Sequence, residues 1–118
     1  MIRKVGFTYY RVRDMAAARA FYEGVLGLSS DAGEASPWVE YDLPEGGCFA
    51  ITTVVPGAPS ADAGGTIAFE VSDLPALVAD LTAKGVRMGH PELIRGPHCR
   101  MMPVFDPDGN GVLLHQLD

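Results

Sequence analysis

Long apolar runs are missing from this 118-residue chain. No segment approaches the roughly 18 to 20 apolar residues that span a bilayer as a helix. The opening Met1-Ile2-Arg3-Lys4-Val5-Gly6-Phe7 has no apolar core of signal-peptide length. A cytoplasmic protein without a membrane partner is expected. Basic residues are also few, nine Lys and Arg against fifteen Asp and Glu for a net charge of −6, and they are scattered. Nucleic acid calls for clustered cations and is excluded as a partner, while an acidic balance favours neutral or cationic ligands. Cysteine is scarce: Cys48 and Cys99 have neither zinc-type nor redox spacing, so two free thiols in a reducing compartment are expected. What remains, 47% hydrophobic and 20% charged residues, is the composition of a soluble globular chain long enough for one core. A single domain over 1–118 is expected.

The most specific stretch is 103–116. Asp106-Pro107-Asp108-Gly109 carries the residues of a tight turn, with φ preset by Pro107 and a left-handed position available to Gly109. Val104 and Phe105 lead in and Val112 to His115 lead out, which predicts a hairpin whose turn is structural and whose strands carry any chemistry.

Taken in order, β-favouring residues predict a strand over 5–12. Asp14 then caps a helix with Met15, Ala18, Phe21, Tyr22, Val25 and Leu26 at helical spacing, and Gly27 ends it. Strands are predicted over 38–43 and 48–55 around a turn at 44–47, and the Gly, Ala, Pro and Ser of 56–65 read as a linker. The opening then recurs: a strand over 66–71, the cap Asp73, a helix with Leu74, Leu77, Val78 and Leu81, and the stop Gly85. A strand near Arg87, a loop over 90–97, a strand over about 99–105 and the last hairpin strand complete it. A shift of 59 residues carries Val12 onto Val71, Asp14 onto Asp73 and Met15 onto Leu74.

Each repeat must bury its helix against one face of its sheet, leaving the other face available. Alternation assigns the faces. With Ile67, Phe69 and Val71 under the second helix, Thr66, Ala68 and Glu70 point away, and the shift puts Phe7, Tyr9 and Arg11 on the equivalent face of the first repeat. Leu113 and His115 share a face opposite Val112 and Leu114. Two such faces turned together make a cleft.

Val12-Arg13-Asp14-Met15 with Ala20-Phe21-Tyr22-Glu23-Gly24-Val25-Leu26-Gly27-Leu28, then Val71-Ser72-Asp73-Leu74 and Asp106-Pro107-Asp108-Gly109-Asn110, resemble the vicinal oxygen chelate superfamily. That superfamily includes glyoxalase I, bleomycin-resistance proteins and extradiol dioxygenases. The resemblance implies an α+β fold of two tandem βαβββ modules whose curved sheets enclose a cleft, with module one over about 1–56, a linker over about 57–64 and module two over about 65–118. It also implies a homodimer. The superfamily's enzymes hold a divalent ion with His or Glu from four strands. Carried over, those positions are Phe7, Thr66 and Leu113, with Ile51 at or next to the fourth. None is a ligand of that type, so no metal and no cofactor is expected. Tyr9, Glu70 and His115, two residues further along the same faces, make a poor shifted set; an ion pair of Glu70 with Arg11 is the plainer expectation.

The function expected is therefore metal-independent binding of a small aromatic organic molecule, in the manner of drug-sequestering resistance proteins. Phe7, Tyr9, Trp38, Ile51 and Leu113 would form the apolar lining, with Arg11, Thr66, Glu70 and His115 beside it. The alternative is an enzyme, a glyoxalase- or dioxygenase-like lyase, isomerase or oxidoreductase, using a shifted metal site or acid–base chemistry by His115, Glu70 or Tyr9. A purely structural domain follows if the aromatic residues only fill the core. His98-Cys99-Arg100 suggests an activated thiol, but neighbours on a strand point to opposite faces and Cys99 reads as a small apolar residue. His90, before Pro91, is an extended loop residue.

Overall fold

The computed structural model describes residues 1, 5 and 7–118. They form two compact units, Met1–Pro59 and Ser60–Asp118.

Unit 1 runs strand β1 (Thr8–Arg11), helix α1 (Met15–Arg19), strand β2 (Trp38–Asp42) and strand β3 (Cys48–Thr52). Asp14 caps α1 by accepting the Ala17 N–H at 3.1 Å. After Arg19 the helix widens into a π-helical segment, Ala20–Val25, where the Leu26 N–H reaches back to the Phe21 carbonyl at 2.9 Å. Gly27, at φ 80°, ends it as its position suggested. The sheet order is β1-β3-β2, with β3 parallel to β1 and antiparallel to β2. α1 lies on β3. Its core is aromatic: Tyr22, Tyr41 and Phe49 are fully buried, with Tyr22 and Phe49 ring centroids 5.1 Å apart. Burying each such ring contributes on the order of 2 kcal/mol.

A half-buried polar strut borders this core. Arg19 Nε donates to Glu23 Oε2 at 2.5 Å, the Tyr41 hydroxyl donates to the same oxygen at 2.9 Å, and Arg19 Nη1 reaches the Gly33 carbonyl at 2.9 Å. Helical i, i+4 spacing brings Arg19 and Glu23 together. The Arg19 hydrogen bond, helped by Tyr41, holds the Glu23 carboxyl below its ordinary range against the opposing push of burial.

Unit 2 repeats the plan at the predicted offset. Strand β4 (Ile67–Glu70) and helix α2 (Leu74–Ala83) begin 59 residues after β1 and α1, and Asp73 caps α2 through the Ala76 N–H at 3.1 Å. Strands β5 (Ile94–Arg95), β6 (Cys99–Phe105) and β7 (Gly111–Leu117) complete a sheet of order β4-β7-β6-β5. The expected strand near Arg87 is a single bridge, Met88 to Val104, and the expected loop over 90–97 contains β5. Among the described residues unit 1 has no counterpart of β5. Leu74, Leu81, Met102, Val104, Val112 and Leu114 are buried, with α2 on β6 and β7.

The hairpin turn has the predicted form. The Gly109 N–H bonds the Asp106 carbonyl at 3.0 Å, and Gly109 has φ 86°. Buried Asp106 takes the N–H groups of Asp108 and Asn110 and the Asn110 side-chain amide, each at 2.9 Å. Asn110 Oδ1 in turn accepts the Ser60 N–H at 3.0 Å, tying the segment before β4 to the hairpin. Each of these bonds holds the turn.

Candidate functional site

Register decides which side chains share a face. In unit 1, Tyr9 lies beside Ala50 and Glu40, and Arg11 beside Thr52 and Trp38, all on the face away from α1. Asp42 and Cys48 pair one step along on that face. The middle strand offers only small side chains there, Cys48, Ala50 and Thr52, between larger ones on β1 and β2. Trp38 leans across them, its ring centroid 5.7 Å from both Phe7 and Tyr9, and Phe7 and Tyr9 lie 6.4 Å apart. Phe7 is 50% and Tyr9 37% exposed, so this cluster is not core.

Polar groups frame the rings. Trp38 Nε1–H donates to Glu40 Oε1 at 2.9 Å. Arg11 donates through Nε to the Pro56 carbonyl at 2.7 Å, with its guanidinium carbon 5.6 Å from the Tyr9 ring centroid. A side chain at Gly57, which has φ 119°, would place its Cβ 2.8 Å from Arg11 Nε, so the glycine makes room for this arrangement. Burial first, then the Glu40 and Asp42 carboxylates, push the Cys48 thiol up.

Ile51 does not belong to this group, contrary to its expected place in the lining. It pairs with Tyr10 and Val39, shares the α1 side with Phe49, and is fully buried. Its neighbours on β3, Ala50 and Thr52, are on the far face. Sequence alternation failed here because Phe49, Ala50, Ile51 and Thr52 are all buried, which removes the contrast that marks a face. Glu40, outside the expected lining, joins this face, and the alternation of Trp38-x-Glu40-x-Asp42 is the sequence signal for it.

In unit 2 the far face carries Thr66 and Ala68, Glu70 beside His115, Leu113 beside Pro103, and Met101 beside His115. Arg87 lies over the Phe105 ring at 4.1 Å. His115 Nδ1 is 2.6 Å from Glu70 Oε1, and the Leu117 N–H donates to Glu70 Oε2 at 2.7 Å. The His115 hydrogen bond, then that of Leu117, holds the Glu70 carboxyl below its ordinary range. Glu70 thus fixes the imidazole from one side. Gln116, on the other face, accepts the Leu74 N–H at 2.7 Å and steadies the start of α2. Cys99 and Arg100 lie on opposite faces as expected; Cys99 is half-buried against Gly96.

At the positions carried over from the superfamily resemblance, Phe7 and Ile51 or its neighbour Ala50 in unit 1 and Thr66 and Leu113 in unit 2, the side chains supply one hydroxyl and no imidazole or carboxylate. Among the described residues no group of three His, Cys, Asp or Glu side chains converges on a point. No helix of the described residues is long and apolar enough to cross a membrane.

Solved structures of similar shape agree with this architecture. A glyoxalase/dioxygenase from Nostoc punctiforme superposes with TM-score 0.77 at 21% identity, covering 98% of this chain and 92% of that one. A glyoxalase/bleomycin resistance protein from Albidiferax ferrireducens superposes with TM-score 0.75 at 24% identity, covering 96% and 98%. An antibiotic binding protein from a Streptomyces species superposes with TM-score 0.77 at 23% identity, covering 100% and 99%. At these identities the likeness concerns the fold. No curated protein sequence matches the chain. The family model described as the Glyoxalase/Bleomycin resistance protein/Dioxygenase superfamily matches residues 4–114, nearly the whole chain, and the protein belongs to that superfamily.

Proposed function

We propose that this protein binds a small aromatic organic molecule, without a metal ion, on the far face of unit 1. The observation that carries the reading is the cluster of Phe7, Tyr9 and Trp38, held within 6.4 Å of one another on the side of the sheet away from the core. Small-molecule sites join apolar and aromatic surface to a few placed polar groups, and Arg11 and Glu40 supply those here. A structure of the same fold is named as an antibiotic binding protein, which supports the ligand class. The lack of suitable donors at the fold's metal positions supports metal independence.

Trp38 is the sole tryptophan, so its emission reports directly on the cluster. Chelator-treated protein titrated with a panel of planar aromatic compounds, antibiotics included, is expected to give a saturable change that added Ni, Zn, Mn or Fe leaves unaltered. Silence across the panel, or a response that returns only with metal, rejects the reading. The same reading takes the protein as a cytoplasmic homodimer; a monomer mass in sedimentation at micromolar concentration counts against the dimer.

A second reading rests on the His115–Glu70 contact at 2.6 Å. A carboxylate that orients an imidazole beside the apolar Leu113 and Met101 has the parts of a general base. If the protein turns over a substrate, His115→Ala abolishes turnover while Thr66→Ala on the same face retains it. Full activity in His115→Ala ends this reading.

A further inference from the structure

We infer that the ligand of the unit 1 face is an organic cation, an ammonium-type head caged by Phe7, Tyr9 and Trp38 and neutralised by Glu40. The inference rests on the reading of that face as the ligand site and adds the charge of what it takes.

Ring geometry is the first support. Phe7 and Trp38 are inclined at 88°, Tyr9 and Trp38 at 48°, and Phe7 and Tyr9 at 41°. Parallel rings make a stacking slot for a flat ligand, whereas planes at these angles bound a corner, the arrangement that presents π-surface to a compact cation. Charge is the second. Among the described residues, Glu40 and Asp42 stand on this face and are exposed, against the guanidinium of Arg11. The indole N–H holds Glu40 Oε1 beside the cage at 2.9 Å. Arg11, whose guanidinium lies 5.6 Å from the Tyr9 ring, is anchored by the Pro56 carbonyl at the end of the face. The overall charge of −6 favours the approach of such a ligand.

The test uses two probes of one shape, benzyltrimethylammonium and its uncharged carbon isostere neopentylbenzene, each titrated against the full chain with Trp38 emission as readout. The cation is expected to bind about tenfold more tightly than the isostere, a difference of about 1.4 kcal/mol. Its affinity should weaken with added salt and fall severalfold in Glu40→Gln, with Asp42→Asn as a second variant should the first fold poorly. Equal binding of the two probes, or a preference for the isostere, overturns the cation assignment and leaves the aromatic-ligand reading standing. Silence with both probes also overturns it, and the wider panel then decides separately whether the face binds any aromatic molecule.

Discussion

Glu70 and His115 stand side by side on the parallel strands β4 and β7, with His115 Nδ1 2.6 Å from Glu70 Oε1 and the other Glu70 oxygen on the Leu117 N–H. Both contacts favour the carboxylate, so the Glu70 pKa is lowered in the folded chain. For a depressed carboxylate the stabilisation is present above the unfolded value of about 4.3 and disappears as pH falls through the folded value. A carboxyl-carbon NMR titration should place the Glu70 midpoint below that of an ordinary glutamate. In His115→Ala the midpoint should rise, yet stay depressed by the remaining Leu117 hydrogen bond. An unshifted midpoint in the wild-type protein would show that the contact does not form in solution.

The strut in unit 1 predicts a stability loss. Tyr41→Phe removes one of two donors to Glu23 Oε2 and should cost about 1 to 2 kcal/mol in denaturant unfolding. Glu23→Gln should cost more, since it uncouples Arg19 and Tyr41 together. The Glu23 contribution carries the same sign as that of Glu70: it is present above the ordinary carboxylate range and fades on acidification, because Arg19 lowers the pKa in the fold. If Glu23→Gln unfolds at the wild-type denaturant midpoint, the strut contributes nothing.

Register makes opposite predictions for two neighbours in space. Ile51→Ala empties a fully buried position and should cost about 2 to 4 kcal/mol without altering ligand contacts. Tyr9→Ala, on the exposed far face, should change stability by only about 0.5 kcal/mol yet weaken binding of aromatic probes. Interchanged results would mean that β3 has the opposite parity.

The repeat can be checked at its caps. Asp14→Ala and Asp73→Ala each delete one side-chain bond to the helix start and should cost about 1 kcal/mol apiece. Being in separate units, the two losses should add in the double variant.

The hairpin turn should be the most sensitive of these polar sites. Asp106→Ala strands three donors at a buried position and should cost about 2 to 3 kcal/mol by thermal or denaturant unfolding. Gly109→Ala, forced to φ 86°, should cost about 1 kcal/mol.

Local rules made much of this protein readable. A cap needs only a carboxylate at the right position, a stop needs a glycine that accepts positive φ, and alternation needs one wet and one dry face. The sequence alone therefore determined the 59-residue repeat, both helix starts, the Asp106 turn, and the far-face placement of Tyr9, Arg11 and Glu70. Tertiary structure decided the rest. Pairing on both sides of β3 set the parity of Ile51, because a strand buried on both faces carries no alternation to read. The π-helical widening at Ala20–Val25, in which Phe21 and Tyr22 are both buried, is announced by no cap or periodicity. The partner of Glu70 is a residue 45 positions away, brought alongside by the parallel register of β4 and β7, a choice made by long-range pairing.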